Sequence, residues 1–352
     1  QGWDFVERDG GIYESAAHGT SVLSVMAANL PGYMIGTAPD ATYFLLKTED
    51  TGGEFPVEEA NWVAGAEGAD SLGVDIINAS LGYTVFNDSS LGHRYAELDG
   101  RSSIGARGAA IAALKGMLVL NSAGNSGDEA WKYLGVPADA AGVIAVGAVD
   151  HAGARAAFSS FGPTADGRIK PDLMAPGEMV VVAGETGADL ALSSGTSLAS
   201  PLLAGAIASL WSAFPEKTAR EIENAVFAFA DQVDQPDTLR GFGLPDIALS
   251  WLNLSGYFYK TQPNHARNGI FAFNREAGEF SFLLLVPVSP VGLKVELQNV
   301  LGEPLRSAQV DFSFHSISRL RFSRMFELPP GFYQVVLRSE GQAIRLGGLV
   351  WR

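Results

Sequence analysis

The sequence predicts an α/β protein in which a parallel sheet is covered by helices on both faces, followed by a small antiparallel β-sandwich domain. In residues 1–251, short apolar runs alternate with longer helical runs rich in small residues, a pattern typical of βαβ units. The strand-like runs are apolar on both faces, as expected for strands buried between two helix layers. From residue 252 onward the pattern changes to short runs at about ten-residue spacing, which is typical of a β-sandwich.

Length and charge support the same division into two domains, 1–251 and 252–352. The chain has 352 residues and a net charge of −15. Residues 252–352 carry 11 Lys+Arg against 7 Asp+Glu, whereas the preceding residues carry 13 against 32. Such an acidic first domain argues against nucleic acid as a partner.

Composition excludes several classes of site. The chain has no cysteine, which excludes disulfides, zinc–thiolate sites and a cysteine nucleophile. The five histidines show none of the spacings of a metal hydrolase, and no apolar run is long enough to span a bilayer. The chain opens at Gln1 without a signal-peptide pattern, and we expect that its beginning has been removed.

The elements of the first domain can be placed in order. The expected strands are 42–47, 74–80, 117–121, 143–149 and 179–183, and the expected helices are 19–30, 56–72, 104–115, 198–214 and 218–229. The segments 158–163 and 170–177 are expected to be rigid loops. In parallel sheets reactive groups gather at the carboxyl ends of the strands. We therefore expect Ser80, the segment 121–125 and the Gly-Thr-Ser turn at 195–197 to converge.

Ser197 is the first candidate catalytic residue. It lies where a tight turn becomes a long apolar helix, so backbone N–H groups and the positive end of the helix dipole are near its hydroxyl. We place Pro201 in the first turn of that helix, where proline is tolerated. A hydroxyl in this setting can attack a carbonyl while the N–H groups stabilise the oxyanion. Taken alone, so short a motif is far more often a serine that caps a buried helix.

Two further polar residues lie in comparable positions. His18 stands at the start of the predicted helix 19–30, although an isolated histidine is more often a surface or satisfied core residue. Asn125 lies between glycines after a buried strand, where an ordinary Asn-Gly turn is an equally good interpretation. Only their combination with Ser197 indicates chemistry.

Seven motifs occur in one order over residues 1–250: HGTSV, INASLG, NSAGNSG, VIAVGAV, FSSFGP, KPDLMAPG and SGTSLASP. In this respect the sequence resembles the subtilisin-like serine proteases, or subtilases. The resemblance implies a subtilisin-like fold and a serine endopeptidase that acts on polypeptides. It implies that Ser197 is the nucleophile, that His18 is its general base, and that Asn125 lies in the oxyanion hole. It also implies a substrate-binding set, which comprises Ser80, Leu81, Gly82, Gly124 and Thr196.

The sequence departs from the family at the third triad member, an Asp followed by a small residue and Gly. The acidic residues before His18 are Asp4, Glu7, Asp9 and Glu14, and none has this setting. We place Asp4 and Asp9 in the loop after the family's Asp-bearing strand. We therefore expect that strand, and the triad Asp, to precede Gln1. Without it, His18 loses the group that orients it and the chain should be a very poor protease.

Two alternatives to an active protease follow from these residues. A protease-like protein that binds peptides along 80–82 without cutting them would have no need of His18, Asn125 and Ser197 together. An α/β-hydrolase is disfavoured because Ala199 stands where its nucleophile elbow requires glycine. No cofactor is required for the chemistry. Calcium sites are common in the family, and we name the acidic loops at Asn87–Asp88 and Asp99 as candidates.

The second domain shows a further resemblance. Its Leu301-Gly302 and Pro330-Gly331-Phe332-Tyr333 motifs and its terminal apolar strand are similar to the C-terminal sorting domains of Bacteroidetes proteins exported by the type-nine secretion route. This resemblance implies a Bacteroidetes-type protein that is secreted or held at the surface of a Gram-negative cell, with the secretion machinery as a partner. An accessory β-sandwich with a stabilising or carbohydrate-contacting role remains the alternative. His265 and His315 have no evident catalytic partners there.

Overall fold

The computed structural model describes residues 2–13, 17–184, 189–255, 269–274, 279–284, 294–298, 303–309, 319–322, 331–339 and 342–351. The chain divides into two compact units, Gln1–Ile247 and Ala248–Arg352.

A four-stranded parallel sheet forms the centre of the first unit. Its strands, in sheet order, are β5 (Ile76–Ala79), β6 (Leu118–Ser122), β7 (Val143–Val149) and β8 (Leu173–Pro176). Every residue of β6 and β7 is buried. Full burial of predominantly apolar strands is typical of strands covered on both faces, and the predicted α/β architecture is confirmed.

Six helices accompany the described strands. They are α1 (Ala17–Ala27), α2 (Val57–Leu72), α3 (Ile104–Leu114), α4 (Thr196–Ser212), α5 (Ala219–Ala228) and α6 (Ile247–Leu254). Helix α3 packs on β6 and β7, whereas α4 contacts all four strands of the sheet. Alanine and glycine make up seven of the 11 residues of α3 and five of the 17 residues of α4, which allows close approach to the strands.

A second, two-stranded parallel sheet lies in the same unit. It consists of β1 (Gly2–Asp4) and β4 (Leu45–Lys47). Leu46 and Ile77 pack against one hydrophobic cluster that includes Trp62 of α2, so the same core supports β4 and β5. Among the described residues β5 pairs only with β6, and most of β5 is only half-buried. The free edge of β5 therefore has no neighbouring strand in the described part of the chain.

Two antiparallel hairpins complete the first unit. One joins β2 (Asn29–Leu30) to β3 (Met34–Ile35), and the other joins β9 (Val180–Ala183) to β10 (Leu190–Ser193). The predicted helix 19–30 is too long at its C-terminal end, because residues 29 and 30 pair with β3. The prediction that 170–177 is only loop is also wrong. Its centre forms β8, a strand of four residues whose last residue is Pro176.

A buried ammonium group secures the start of β8. The Nζ atom of Lys170 donates to the carbonyl oxygen of Val143 and to the Asp172 carboxylate, both at 2.6 Å. The same carboxylate oxygen accepts the N–H of Ala145 at 2.7 Å. A buried cation is tolerated here because it is paired and hydrogen-bonded. These contacts fix β8 beside β7.

The second unit contains two antiparallel sheets, ordered β11-β12-β15 and β14-β13-β16-β17. The strands are β11 (Gly269–Asn274), β12 (Glu279–Leu284), β13 (Lys294–Gln298), β14 (Pro304–Gln309), β15 (Arg319–Phe322), β16 (Gly331–Ser339) and β17 (Gln342–Trp351). The β-sandwich arrangement of these sheets stays a prediction. Leu301, Gly302, His265 and His315 lie outside the described residues.

A buried acid at the start of α2 joins α2 to α3. One carboxylate oxygen of Glu59 accepts the N–H of Gly105 at 2.9 Å, and the other is bonded to Nε2 of His93. Glu59 is 4% exposed. The hydrogen bond to Glu59 raises the pKa of His93 and outweighs the opposite effect of burial. Protonated His93 therefore stabilises the fold more than neutral His93 does.

This pair predicts a pH-dependent stability. Because the pKa of His93 is higher in the folded chain, its contribution is complete below its ordinary value of 6.5 and declines as the pH rises through the raised folded value. We expect His93→Gln to lower the free energy of unfolding by roughly 1.5–3 kcal/mol at pH 6. The deficit should shrink by pH 9, as measured by urea denaturation at both values. The exposed His151→Gln is the control, and an equal deficit at both pH values would contradict the assignment.

Candidate active site

Pro201 determines how the start of α4 is held. Helix α4 begins at Thr196, so Pro201 is its sixth residue and lies in the second turn. The prediction that Pro201 lies in the first turn is therefore wrong. A proline has no N–H, so the carbonyl oxygen of Ser197, four residues earlier, has no intrahelical donor. The Ser80 hydroxyl donates to this oxygen instead, at 2.8 Å. This hydrogen bond fixes the candidate nucleophile against the carboxyl end of β5.

Two more side chains extend this contact into a chain of hydrogen bonds. Nδ2 of Asn78 donates to Oγ of Ser80 at 3.1 Å, and Oγ of Ser200 donates to Oδ1 of Asn78 at 2.7 Å. Ser200 is fully buried. This series of hydrogen bonds therefore begins and ends on α4 and passes through Asn78 of β5, and it fixes the start of the helix to the sheet. The sequence analysis missed Asn78 and Ser200. The available signal was a polar residue within each apolar run.

The amide of Asn125 is oriented by Thr196. Its Oδ1 atom accepts the Thr196 N–H at 2.8 Å and the Thr196 hydroxyl at 2.9 Å. With the oxygen held, the Nδ2 atom faces away from Thr196, and it has no hydrogen-bond partner in the described part of the chain. A Cβ built on Gly195 would lie 2.9 Å from Oγ of Ser197 and 3.5 Å from Nδ2 of Asn125. The hydroxyl and the amide thus converge on one point.

The turn that carries Asn125 depends on Gly124. Gly124 has a φ of +105°, a conformation that L side chains rarely adopt, and its N–H donates to the Thr196 hydroxyl at 3.1 Å. Ser160 supports the other side of the turn. Its N–H donates to the Gly124 carbonyl at 2.9 Å, and its hydroxyl accepts the Ser126 N–H at 3.0 Å. Gly124 and Thr196 are therefore brought together with Asn125, as expected.

His18 is the second residue of α1, and α1 packs against α4. The residue is exposed to solvent, yet neighbouring protein atoms partly desolvate its ring and lower its pKa. In the described ranges, His18 has no hydrogen bond to Ser197 and none to a carboxylate. The structure thus brings His18 to the same helix pair as Ser197 without joining the two side chains.

Asp4 does not fill the place of the missing carboxylate. It is the last residue of β1 rather than a loop residue, is 1% exposed, and pairs with Nζ of Lys47 at 2.6 Å. Burial alone would raise the pKa of Asp4, but the hydrogen bonds from Lys47 and two backbone N–H groups lower it below its ordinary value. Asp4 is therefore a structural partner of β4.

The segment 80–82 follows β5 directly. The Leu81 carbonyl accepts from Nδ2 of Asn121 at 2.9 Å and from the Ser122 hydroxyl at 3.4 Å. Beyond it, Tyr83 and Val136 exchange backbone hydrogen bonds of 2.8 and 3.1 Å. The backbone N–H and carbonyl of Gly82 have no partner among the residues that the structure describes. This leaves an exposed strand-like edge next to Ser197.

The suggested calcium loops bind their own backbone. Asp88 accepts from the N–H and hydroxyl of Ser90, and Asp99 accepts from the N–H groups of Arg101 and Ser102. No group of three or more acidic or histidine residues that could hold a metal ion occurs in the described ranges. Within those ranges, no helix is both long and apolar enough to cross a membrane.

Comparison with known proteins shows the family to which residues 1–244 belong. The model of the Subtilase family matches residues 1–244. The thermostable alkaline protease of Halalkalibacterium halodurans is 32% identical over 244 residues, which are 69% of this chain and 60% of that protein. Subtilisin DY of Bacillus licheniformis is 33% identical over 234 residues, 65% of this chain and 76% of that protein. The chain thus spans only part of each relative.

Solved structures show the same fold. Patellamide maturation protease PatA is 25% identical with a TM-score of 0.56, covering 68% of this chain and 85% of that one. The MycP3 protease from the type VII (ESX-3) secretion system is 22% identical with a TM-score of 0.56, covering 71% and 76%. The fold of the first unit is subtilisin-like, and with the family match over 1–244 the chain belongs to the subtilase family.

Proposed function

We propose that the protein is a serine endopeptidase in which Ser197 is the nucleophile and His18 is the general base. One observation carries the proposal. The oxygen of the Asn125 amide is held by Thr196, so its N–H₂ group and the Ser197 hydroxyl converge beside Gly195. A binding protein would have no need to aim a hydrogen-bond donor at a serine hydroxyl.

The reaction follows from these positions. His18 takes the proton of Ser197 as Oγ attacks the carbonyl carbon of a peptide bond, and a tetrahedral oxyanion forms. The Asn125 amide and the backbone N–H of Ser197, at the start of α4, donate to that oxyanion. His18 then gives its proton to the leaving amine as the C–N bond breaks. Water hydrolyses the acyl-enzyme by the same steps and restores the Ser197 hydroxyl.

The proposed substrate is an extended polypeptide. Segment 80–82 offers the free backbone groups of Gly82 beside the nucleophile, and an extended peptide can pair with such an edge. Gly124 and Thr196, which hold the Asn125 turn, are hydrogen-bonded to each other, and Thr196 directly precedes the nucleophile. The pairing supplies affinity without requiring a particular sequence.

The proposed triad also needs a carboxylate at His18. None of the described residues provides one, and a histidine without it loses its preferred tautomer and its stabilised charged form. Removal of that carboxylate from subtilisin, a member of this family, costs about 3 × 10⁴ in turnover. The free edge of β5 has room in its hydrogen bonding for a further parallel strand, whose carboxyl end would lie near His18. We expect low activity wherever no such carboxylate reaches His18.

The second unit is proposed to direct secretion. Strand β16 (Gly331–Ser339) carries three residues of the sorting-type signature, Gly331, Phe332 and Tyr333. In a Bacteroidetes host with the type-nine route, deletion of 252–352 should retain the protein inside the cell. Normal export of the truncated chain would favour an accessory role for the second unit.

Hydrolysis of casein tests the proposed function. We expect slow release of peptides by the full chain and none by Ser197→Ala, because no other described serine shares the oxyanion donor. His18→Gln should be as inactive as Ser197→Ala, and Ser212→Ala on the same helix is the matched control. Casein binding without any cleavage by the parent chain would support the alternative, a non-catalytic peptide-binding protein.

The oxyanion donor predicts a separate effect on turnover. We expect Asn125→Ala to lower kcat for p-nitrophenyl acetate by about 10²–10³, the magnitude known from subtilisin. Thr196→Val keeps the backbone N–H but loses the hydroxyl that holds the amide, so a fall of roughly threefold to tenfold is expected. Equal effects of the two substitutions would contradict the separate roles of donor and holder.

A further inference from the structure

Asn121 is a fully buried amide that the mechanism above does not use. It is the fourth residue of β6, is 0% exposed, and pairs in register with Ala79 of β5. Its Nδ2 atom donates to the carbonyl oxygens of Leu81 and Ser122, at 2.9 and 2.8 Å. Both partners can only accept, so the nitrogen must face them.

The oxygen of the same amide is not satisfied. Oδ1 of Asn121 is buried and has no hydrogen-bond partner among the described residues. An unsatisfied buried acceptor is unfavourable, and such groups call for an explanation other than stability. The neighbouring Val119 and Ala79 show that apolar side chains fit this face of the sheet. Packing alone therefore does not explain an asparagine at position 121. Unlike an apolar side chain, Asn121 donates hydrogen bonds to the carbonyl oxygens of Leu81 and Ser122.

The contact with Leu81 fixes the middle of the proposed peptide-binding segment. With its carbonyl turned toward Asn121, Leu81 holds its neighbours Ser80 and Gly82 in place beside Ser197. The Ser122 hydroxyl reaches the same carbonyl only at 3.4 Å, so Asn121 supplies the better-formed of the two hydrogen bonds. The far end of the segment is held separately by the pairing of Tyr83 with Val136.

We infer that Asn121 is a positioning residue, which holds segment 80–82 in the extended geometry that a polypeptide substrate requires. This inference rests on the proposed function, because it assumes that 80–82 pairs with substrate. It concerns affinity for extended peptides, whereas Asn125 concerns the oxyanion. Because their roles differ, substitutions of Asn121 and of Asn125 should have different effects on KM and kcat.

Kinetics with a long and a short substrate test the inference. Asn121→Leu keeps a similar volume and removes both the donor and the unsatisfied acceptor. We expect its KM for casein to rise threefold to tenfold, the loss of about one hydrogen bond. Its kcat/KM for p-nitrophenyl acetate, which is too small to reach segment 80–82, should change less than twofold. Ser122→Ala is the matched control and should raise KM for casein less than Asn121→Leu does.

Equal losses on casein and on the small ester would overturn the inference, since they would indicate a general structural role. An unchanged KM for casein would overturn it as well. Asn121→Ala replaces Asn121→Leu if the latter does not fold, as judged by its thermal unfolding.

Hydrogen exchange keeps the test independent of catalysis. In Asn121→Leu, amides of residues 80–85 should exchange threefold to tenfold faster while those of β7 stay unchanged. Faster exchange throughout the sheet, or no change in the exchange of the segment, would overturn the positioning role. If the parent chain hydrolyses neither substrate, the proposed function fails and the exchange result alone decides whether Asn121 holds the segment.

Discussion

The arrangement of the site depends on the fact that Pro201 has no backbone N–H. A proline in the second turn of α4 leaves the Ser197 carbonyl without a helical donor, and Ser80 supplies one from the end of β5. Asn78 and Ser200 support that hydroxyl from the strand and from the next turn of the helix. The missing intrahelical hydrogen bond is thus replaced by the one from Ser80, which places the first residues of α4 against the sheet. The position of the nucleophile follows from backbone chemistry before any substrate arrives.

A second set of bonds places the donor relative to the nucleophile. Thr196 precedes Ser197 and holds the Asn125 oxygen with both its N–H and its hydroxyl. The same hydroxyl accepts from Gly124, whose positive φ gives the turn its shape. Gly124, Asn125 and Thr196 are therefore joined by hydrogen bonds into one unit, although Thr196 is distant from the other two in sequence. By contrast, His18 is placed only by the packing of α1, and it lacks an acceptor for its ring in the described part of the chain.

The sequence analysis predicted the sheet and the convergence of Ser197, Asn125 and Ser80, because uniform apolar strands and motifs at strand ends are local signals. It assigned no individual role to Asn78, Ser200 or Asn121, since their roles depend on contacts between residues far apart in the chain. Strand β8 was missed because a strand of four residues that ends at Pro176 carries too little periodic signal. The predicted start of α4 was wrong by two residues, an error that is common at helix ends, and Pro201 was therefore placed in the wrong turn. That small error concealed the bond from Ser80.

The most direct test of the account is whether Ser197 alone is a nucleophile. The full chain would be incubated with an alkyl fluorophosphonate, and its intact mass followed by peptide mapping. The account predicts one adduct per chain, located on Ser197 and absent from Ser197→Ala. Slow formation of that adduct would still fit a histidine that lacks its carboxylate. No adduct after prolonged incubation, or an adduct that persists in Ser197→Ala, would contradict the account.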